Sequence, residues 1–246
     1  MKSKFVMTNN AKNFITLTNN LLNRGKNVSG MALVYGEPGV GKSHTALWWV
    51  ANNDNAIHVQ VTQTMTPRWL LSEIVKELGE YPAARTSDLF NQIVKSLILD
   101  PKILMIDEVD YLIDKKGFIE VLRDIYDRTK TPIIMIGMGV ANKKLEQYKH
   151  FKDRLLAFLR FKPFELKEID LFIKELSEVN FSPEAIDFLY KMKVGFRQIV
   201  NIIDRAEIIA HANDLTEINL NTGNIIDIYN INLHQAIVQI YLYENK

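Results

Sequence analysis

Eight residues near the start of the chain have the types and the spacing of a loop that wraps phosphate groups. Residues 36–43 are Gly-Glu-Pro-Gly-Val-Gly-Lys-Ser, which fits the rule G-x-x-x-x-G-K-[ST]. Glycines let several backbone N–H groups point at one anion, and the dipole of the following helix adds to the attraction. We expect Lys42 to bind the β- and γ-phosphates of a nucleotide and Ser43 to bind Mg²⁺. The predicted nucleotide contacts in this segment are Gly36, Glu37, Pro38, Gly39, Val40, Gly41, Lys42, Ser43 and His44.

Two carboxylates follow an apolar segment further along the chain. Residues 103–106, Ile-Leu-Met-Ile, have the composition of a buried parallel strand, and Asp107 and Glu108 come directly after them. Open α/β sheets bind ligands at the carboxyl ends of their strands, so these acids should lie beside the phosphate loop. We expect Asp107 to hold Mg²⁺ and Glu108 to orient or deprotonate the water that attacks the γ-phosphate. An ordinary acidic turn at the end of a strand is the alternative interpretation.

The segments that position these residues alternate between strand and helix patterns as far as Gly139. Helices are predicted between the apolar segments, and the segments that predict strands are 31–35, 56–61, 103–106 and 132–136. This alternation predicts a parallel sheet covered by helices on both faces. Beyond Gly139 only helices are predicted, at about 142–160, 168–178, 183–193, 196–213 and 232–243. The expected fold is therefore an α/β P-loop domain over residues 1–162, followed by a small all-α domain over residues 163–246.

Composition and charge exclude several classes of protein. The chain has 246 residues, of which 47% are hydrophobic and 24% charged, as in ordinary globular proteins. No apolar segment approaches the about 20 residues needed to span a bilayer, and the first residues lack the apolar core of a signal peptide, so we expect a cytoplasmic protein with no membrane partner. The absence of cysteine excludes disulfides and thiolate metal sites. Five scattered histidines, including His58, are interpreted as surface or packing residues.

Taken together, these residues resemble the AAA+ ATPases, and within them the Mu B/TnsC/IstB-like transposition helpers. The similarity rests on residues 36–43 as a Walker A loop and 103–108 as a Walker B strand. It rests also on Asp153-Arg154 and Leu159-Arg160-Phe161, and on Gly195-Phe196-Arg197 at the start of a helix that is similar to sensor 2. The resemblance implies that Arg197 contacts the γ-phosphate from a lid in the same subunit. It also implies that Arg154 is an arginine finger for the neighbouring subunit's nucleotide, with Arg160 as the second candidate.

The alternative for either arginine is exposure to solvent or pairing with a nearby acid. The chain also departs from the family pattern at Gly137-Met138-Gly139, where many members have an Asn, Ser or Thr that positions the attacking water as sensor 1. We therefore expect slow ATP hydrolysis that depends on DNA or on a partner protein.

The resemblance implies ATP and Mg²⁺ as cofactors and ATP-dependent assembly into rings or helical filaments on duplex DNA. Such an assembly would recruit or activate a transposase, and the protein would be encoded by a bacterium, a phage or a mobile element. Two alternatives stay open. One is a helicase loader of DNA replication, which would act on single-stranded DNA, and the other is an ATP-dependent signalling switch that binds no DNA.

The predicted DNA contacts lie in two polar segments and one pair of lysines. Residues 62–68 follow the second predicted strand, and residues 85–87 lie in a loop that should project from the same side of the sheet. Hydroxyl, amide and guanidinium groups there would bind phosphates without distinguishing base sequence, although simple solvated loops are the alternative. The candidates are Thr62, Thr64, Arg68, Arg85, Thr86, Lys115 and Lys116.

Overall fold

A computed structural model describes residues 1–115, 117–145, 148 and 153–219 of the chain. These residues divide into two compact units. One consists of residues 9–162, and the other combines residues 1–8 with the residues from 163 onward. The helix predicted at about 232–243 and the candidate DNA contact Lys116 lie outside the described residues.

A five-stranded parallel sheet forms the centre of the larger unit. Its strands lie in the order β2-β3-β4-β1-β5. Ile106 pairs with Met135, and Tyr35 pairs with Gly137, so the carboxyl ends of β3 and β1 flank the carboxyl end of β4. The strands are β1 (Met31–Gly36), β2 (Ala56–Gln60), β3 (Ile103–Asp107), β4 (Ile133–Gly137) and β5 (Leu155–Phe161).

Helices cover both faces of this sheet, which confirms the predicted fold class. On one face, Phe14, Leu21 and Trp49 of the first two helices pack against the sheet, and four more helices supply the cluster on the other face. Alternate residues of β1 enter the two clusters, which explains why its sequence is continuously apolar. The helices are α1 (Asn9–Leu22) and α2 (Lys42–Ala51) on the first face, and α3 (Pro67–Glu77), α4 (Thr86–Leu99), α5 (Phe118–Thr129) and α6 (Gly139–Leu145) on the second.

The helix predicted at about 142–160 is wrong. Helix α6 ends at Leu145, and residues 155–161 instead form β5, which pairs with β1 along the length of both strands. Leu156, Phe158 and Arg160 are exposed while the residues between them are more buried, an alternation typical of an edge strand. A short apolar segment is compatible with either structure, and pairing with a strand distant in sequence decides between them.

The second unit is mainly helical in its described residues. Its helices pack around Phe172, Ile199 and Ile203. Ser182 caps the second of them by accepting a hydrogen bond from the backbone N–H of Ala185 at 3.3 Å, as its position before a proline predicts. A short parallel pair, β6 (Asn180–Phe181) with β7 (Glu217–Ile218), was not predicted. The helices are α7 (Leu166–Leu176), α8 (Pro183–Lys191) and α9 (Phe196–Ala212).

None of the helices in the described ranges has the length and hydropathy to cross a bilayer.

Candidate nucleotide-binding site

The phosphate loop joins the end of β1 to the start of α2. Gly39 and Gly41 have φ angles of 79° and 87°, which glycine adopts far more readily than other residues. Gly36 has a different requirement, because a Cβ there would lie 2.5 Å from the carbonyl oxygen of Phe161 in β5. The backbone of β5 therefore approaches the loop so closely that no side chain fits at this position.

The N-terminus of α2 faces this loop without a capping side chain. Gly41 is the N-cap residue and offers no side-chain hydrogen bond, so the first N–H groups of the helix can bind an anion. Ser43 and the exposed His44 lie in the first turn of α2. The loop is anchored from α1, where the amide of Asn10 donates to the carbonyl oxygens of Val40 at 3.5 Å and Lys162 at 2.8 Å. Asn10 was not predicted as a site residue, because it lies in an Asn-rich segment without a motif.

Lys42 lies folded over the loop that precedes it. Its Nζ donates to the carbonyl oxygens of Gly36 at 2.8 Å and Glu37 at 2.9 Å. Burial lowers the pKa of the Lys42 ammonium, while the negative charges of Glu108 and Asp107 act in the opposite direction. An ammonium has three donors, so Lys42 can bind a phosphate oxygen while it continues to hold the loop.

Asp107 is the last residue of β3, and its side chain lies almost completely buried. Its Oδ1 accepts a hydrogen bond from the N–H of Glu108 at 2.8 Å. Its Oδ2 lies 3.4 Å from Nε2 of His58, and neither atom has a hydrogen-bond partner within the described ranges. A buried carboxylate oxygen without a donor is energetically costly, and a cation would satisfy it. The environment of Asp107 therefore fits Mg²⁺.

His58 is a site residue, although its sequence context predicted a surface or packing residue. It pairs with Met105 in the register between β2 and β3, so its side chain lies diagonally opposite Asp107 on the same face of the sheet. No motif marks this position. Only the pairing of two strands separated by two helices brings His58 to the carboxylate.

Glu108 follows in an unusual backbone conformation. Its φ is 58°, in the left-handed region that costs energy for a residue with a side chain, and residues Val109–Tyr111 form a single 3₁₀ turn after it. Burial raises the pKa of the Glu108 carboxyl, and the charges of Asp107 and Asp110 raise it further, while Lys42 lowers it. A carboxylate with a raised pKa is a stronger proton acceptor.

The described residues contain no cluster of three or more His, Asp or Glu side chains arranged to hold a metal. A cation at Ser43 and Asp107 would therefore need further ligands from water or from nucleotide phosphates, as is usual for Mg²⁺.

The two candidate finger arginines lie at opposite ends of the β5 region. Arg160 is exposed and pairs with Tyr35 near the phosphate loop. Arg154 precedes β5, and its carbonyl oxygen accepts a hydrogen bond from the N–H of Met31 at 3.1 Å. Met31 begins β1, so Arg154 lies where the strands start, at the edge of the sheet opposite the carboxyl ends. Because β1 has six residues, its two ends lie about 17 Å apart.

Arg154 is held by an acid of α5. Its Nε donates to Oδ1 of Asp127 at 2.9 Å, and its Nη2 donates to Oδ2 at 2.6 Å. The hydrogen bonds and charge of Arg154 lower the pKa of the Asp127 carboxyl. Of the interpretations offered from the sequence, pairing with a nearby acid therefore applies to Arg154 in the isolated chain.

Arg197 lies in the second unit, at the second position of α9. It is exposed, and the first turn of its helix is closed by Gln198, whose Oε1 accepts from the N–H of Gly195 at 2.8 Å.

The structure brings the predicted DNA-contact loops together. Arg68 donates from Nη2 to the carbonyl oxygen of Ala84 at 2.7 Å, which links the segment after β2 to the loop before α4. Lys115 donates to the carbonyl oxygens of Gln63 and Met65. Lys115 therefore stabilises the same segment, and its role in DNA contact stays a prediction, as for the exposed candidates Thr62, Thr64, Arg68, Arg85 and Thr86.

Comparisons with known proteins agree with this geometry. Residues 26–145 match the AAA domain family. A search of curated proteins found no match.

Several solved structures share the fold. Aeropyrum pernix ORC1 in complex with DNA aligns with a TM-score of 0.66 and 15% identity over 89% of this chain and 63% of that chain. A. pernix ORC2, in ADPNP–ADP complexes, gives 0.68 and 16% identity over 94% and 68%. Cdc6p from Pyrobaculum aerophilum gives 0.60 and 17% identity over 85% and 62%. This chain thus spans about two thirds of the length of these proteins. The protein has the P-loop fold of the AAA+ ATPases, and its residues 26–145 match their AAA domain.

Proposed function

We propose that this protein is an ATP-dependent DNA-binding ATPase that assembles on duplex DNA. One observation carries the proposal: the phosphate loop with Lys42, the buried Asp107 and the strained Glu108 converge at the carboxyl edge of one parallel sheet. A carboxylate that can hold a cation, a base, and a cradle of N–H groups at one place are the parts that phosphoryl transfer to water needs.

Each of these residues has a distinct task in the proposed reaction. Lys42 and the N–H groups at the start of α2 bind the β- and γ-phosphates. Ser43 and Asp107 would hold Mg²⁺, which supplies positive charge at the phosphate oxygens when it is bound. Glu108 orients the attacking water and accepts its proton, a task that suits its raised pKa.

A second subunit is part of the proposal. Arg154 lies at the edge of the sheet opposite the phosphate loop, so it can contact a nucleotide only when that nucleotide is bound by a neighbouring chain. Its guanidinium would leave Asp127 and stabilise the transition-state charge there. From the resemblance to sensor 2, we also propose that Arg197 contacts the γ-phosphate of the nucleotide bound by its own chain.

Binding to DNA is supported by two features. The loops around Arg68 and Arg85 present exposed hydroxyl and guanidinium groups near one edge of the sheet, and solved relatives of the same fold include an ORC1 protein in complex with DNA. Contacts of this kind position duplex DNA through its phosphates without reading bases.

The biological role has two candidates. The resemblance to Mu B/TnsC/IstB-like helpers leads us to propose recruitment or activation of a transposase at the target DNA. The second candidate, a helicase loader of DNA replication, is favoured by the similarity of fold to ORC1, ORC2 and Cdc6p.

The test is the binding of a labelled duplex, followed by fluorescence anisotropy with ATP, ADP, a non-hydrolysable ATP analogue or no nucleotide. We expect the protein to bind the duplex only with ATP or its analogue, and not with ADP or without nucleotide. The DNA affinity should fall steeply as the salt concentration rises, and Lys42→Ala should not bind. Binding that ignores nucleotide, or no binding, would contradict the proposal. Competition between single-stranded and duplex DNA distinguishes the two roles, because a loader should prefer the single strand.

A further inference from the structure

The carboxylate of Asp110 lies beside the proposed catalytic residues, and the reaction described above does not use it. Asp110 belongs to the 3₁₀ turn that follows Glu108. Its Oδ2 accepts a hydrogen bond from the N–H of Met138 at 2.5 Å. Its Oδ1 is buried and has no hydrogen-bond partner within the described part of the chain. A buried acceptor without a donor costs stability and needs an explanation.

Gly137 of the neighbouring strand lies against the other oxygen of this carboxylate, Oδ2. It ends β4, the strand that lies between the phosphate-loop strand and the strand of Asp107. A Cβ at Gly137 would lie 2.5 Å from Oδ2 of Asp110 and 3.0 Å from both Cβ of Ala141 and Cγ2 of Val109. The carboxylate of Asp110 therefore occupies the place that a side chain at Gly137 would need.

The position is electrostatically part of the site. The charge of Asp110 acts on both Lys42 and Glu108, since it opposes the burial that lowers the pKa of Lys42 and adds to the rise in the pKa of Glu108. The hydrogen bond from Met138 also ties the turn that carries Glu108 to the turn after β4. Because Glu108 is held in a costly left-handed conformation, a bond that fixes the next turn helps to keep its carboxylate in one orientation.

We propose that Asp110 is a positioning residue for ATP hydrolysis. From the turn after Glu108, its carboxylate supplies a polar group at the end of β4, where Gly137 has no side chain. The inference rests on the proposed ATPase function. The polar group at the end of the central strand thus comes from the turn after the adjacent strand, and the absence of a side chain at Gly137 leaves the space that the carboxylate occupies.

The test places a polar group on β4 itself, at position 137, in a protein that lacks the Asp110 carboxylate. The key comparison is between two double variants, Asp110→Ala with Gly137→Asn and Asp110→Ala with Gly137→Ala. They share the same vacated space and the same new Cβ, and they differ in one carboxamide. We expect kcat to be about tenfold higher in the Asn double variant than in its Ala control, with ATP dissociation constants within about threefold, because the group acts on the reaction more than on nucleotide binding.

The single variants test the same contact from each side. Asp110→Asn keeps an acceptor for the N–H of Met138 and should retain turnover within about threefold, whereas Asp110→Ala should lose about tenfold. Gly137→Asn alone should also lose turnover, because its Cβ meets the carboxylate. Equal turnover in the two double variants, or turnover in Asp110→Ala within about twofold of the unmodified protein, would overturn the inference.

Glu108→Gln, assayed beside these variants, separates the two levels of the argument. If the unmodified protein hydrolyses ATP, Glu108→Gln does not, and the double variants are equal, then the role of Asp110 is wrong and the ATPase stands. If the unmodified protein hydrolyses no ATP with or without DNA, both fail.

Discussion

Replacing Arg154 with alanine tests whether this arginine acts on a neighbouring subunit. An arginine finger typically contributes about 10³- to 10⁵-fold to turnover, so Arg154→Ala should be nearly inactive alone while it still binds ATP. Glu108→Gln should be nearly inactive because it cannot activate the attacking water, but it still binds ATP and can therefore assemble. In an equal mixture, an Arg154→Ala subunit can hydrolyse ATP while a Glu108→Gln neighbour supplies the arginine.

The structure also sets the size of the expected rescue. Arg154 cannot reach the nucleotide of its own chain, since it lies at the opposite edge of the sheet. An active interface in the mixture therefore needs one subunit of each kind in one order, which random assembly gives in about a quarter of the interfaces of a head-to-tail oligomer. ATP turnover, measured as phosphate release on duplex DNA, should recover to about that fraction.

The bond with Asp127 calls for a matched control. Arg154→Ala also removes an ion pair that is partly exposed on both sides, and pairs of this kind contribute about 0.2–1 kcal/mol to stability. Asp127→Asn weakens the same pair but leaves the guanidinium in place, so it should melt slightly earlier and keep its turnover. An Asp127→Asn variant as inactive as Arg154→Ala, or a mixture without recovery, would refute a finger that acts in trans.

Three further changes give expected outcomes. Glu108→Gln should bind ATP and lose about 10²- to 10⁴-fold in turnover, with longer-lived DNA complexes in a dissociation assay; a faster dissociation would contradict the role of Glu108. The same variant should unfold at higher denaturant concentration at neutral pH, because the pKa of Glu108 is raised in the folded state and the ionised form is penalised there. That advantage should vanish as the pH falls below the ordinary glutamate value, and an advantage that persists there would disagree with the pKa shift. Gly36→Ala should lose about 1–3 kcal/mol of stability in thermal melts, because its Cβ would meet the backbone of Phe161, while Gly139→Ala, where a Cβ has open space, should change little. Asp107→Asn should raise the Mg²⁺ concentration needed for half-maximal turnover by about tenfold, and an unchanged Mg²⁺ requirement would remove Asp107 from the metal site.

Local patterns were sufficient for the parts of the fold and site that are local. The phosphate loop is eight consecutive residues whose types dictate its backbone, and β1, β3 and β4 are continuous apolar segments buried on both faces. These segments determine which strands carry functional residues at their carboxyl ends. The predicted helix at about 142–160 failed because the apolar segment 155–161 fits two structures, and only β1 selects the strand.

The residues that the sequence did not reveal act through register. His58 reaches Asp107 because β2 and β3 are neighbours with a particular alignment, and Asn10 reaches the phosphate loop from a helix that precedes it. In both cases the residue type is ordinary, and the partner is specified by packing. A single sequence contains no signal for such contacts, because the residues around His58 and Asn10 do not indicate which distant residue each will contact.

Gly137 shows why a motif compared one position at a time can mislead about chemistry. Its lack of a side chain led us to expect slow hydrolysis, since many members of the family that the chain resembles carry a polar group there. In three dimensions the relevant quantity is the group at the end of β4, and a carboxylate from the adjacent turn occupies that place. Adjacent parallel strands end at one edge, so a residue from either strand can supply the group. If Asp110 does so, the glycine is no reason to expect slow turnover, and any dependence on DNA must come instead from the assembly that brings Arg154 to its neighbour.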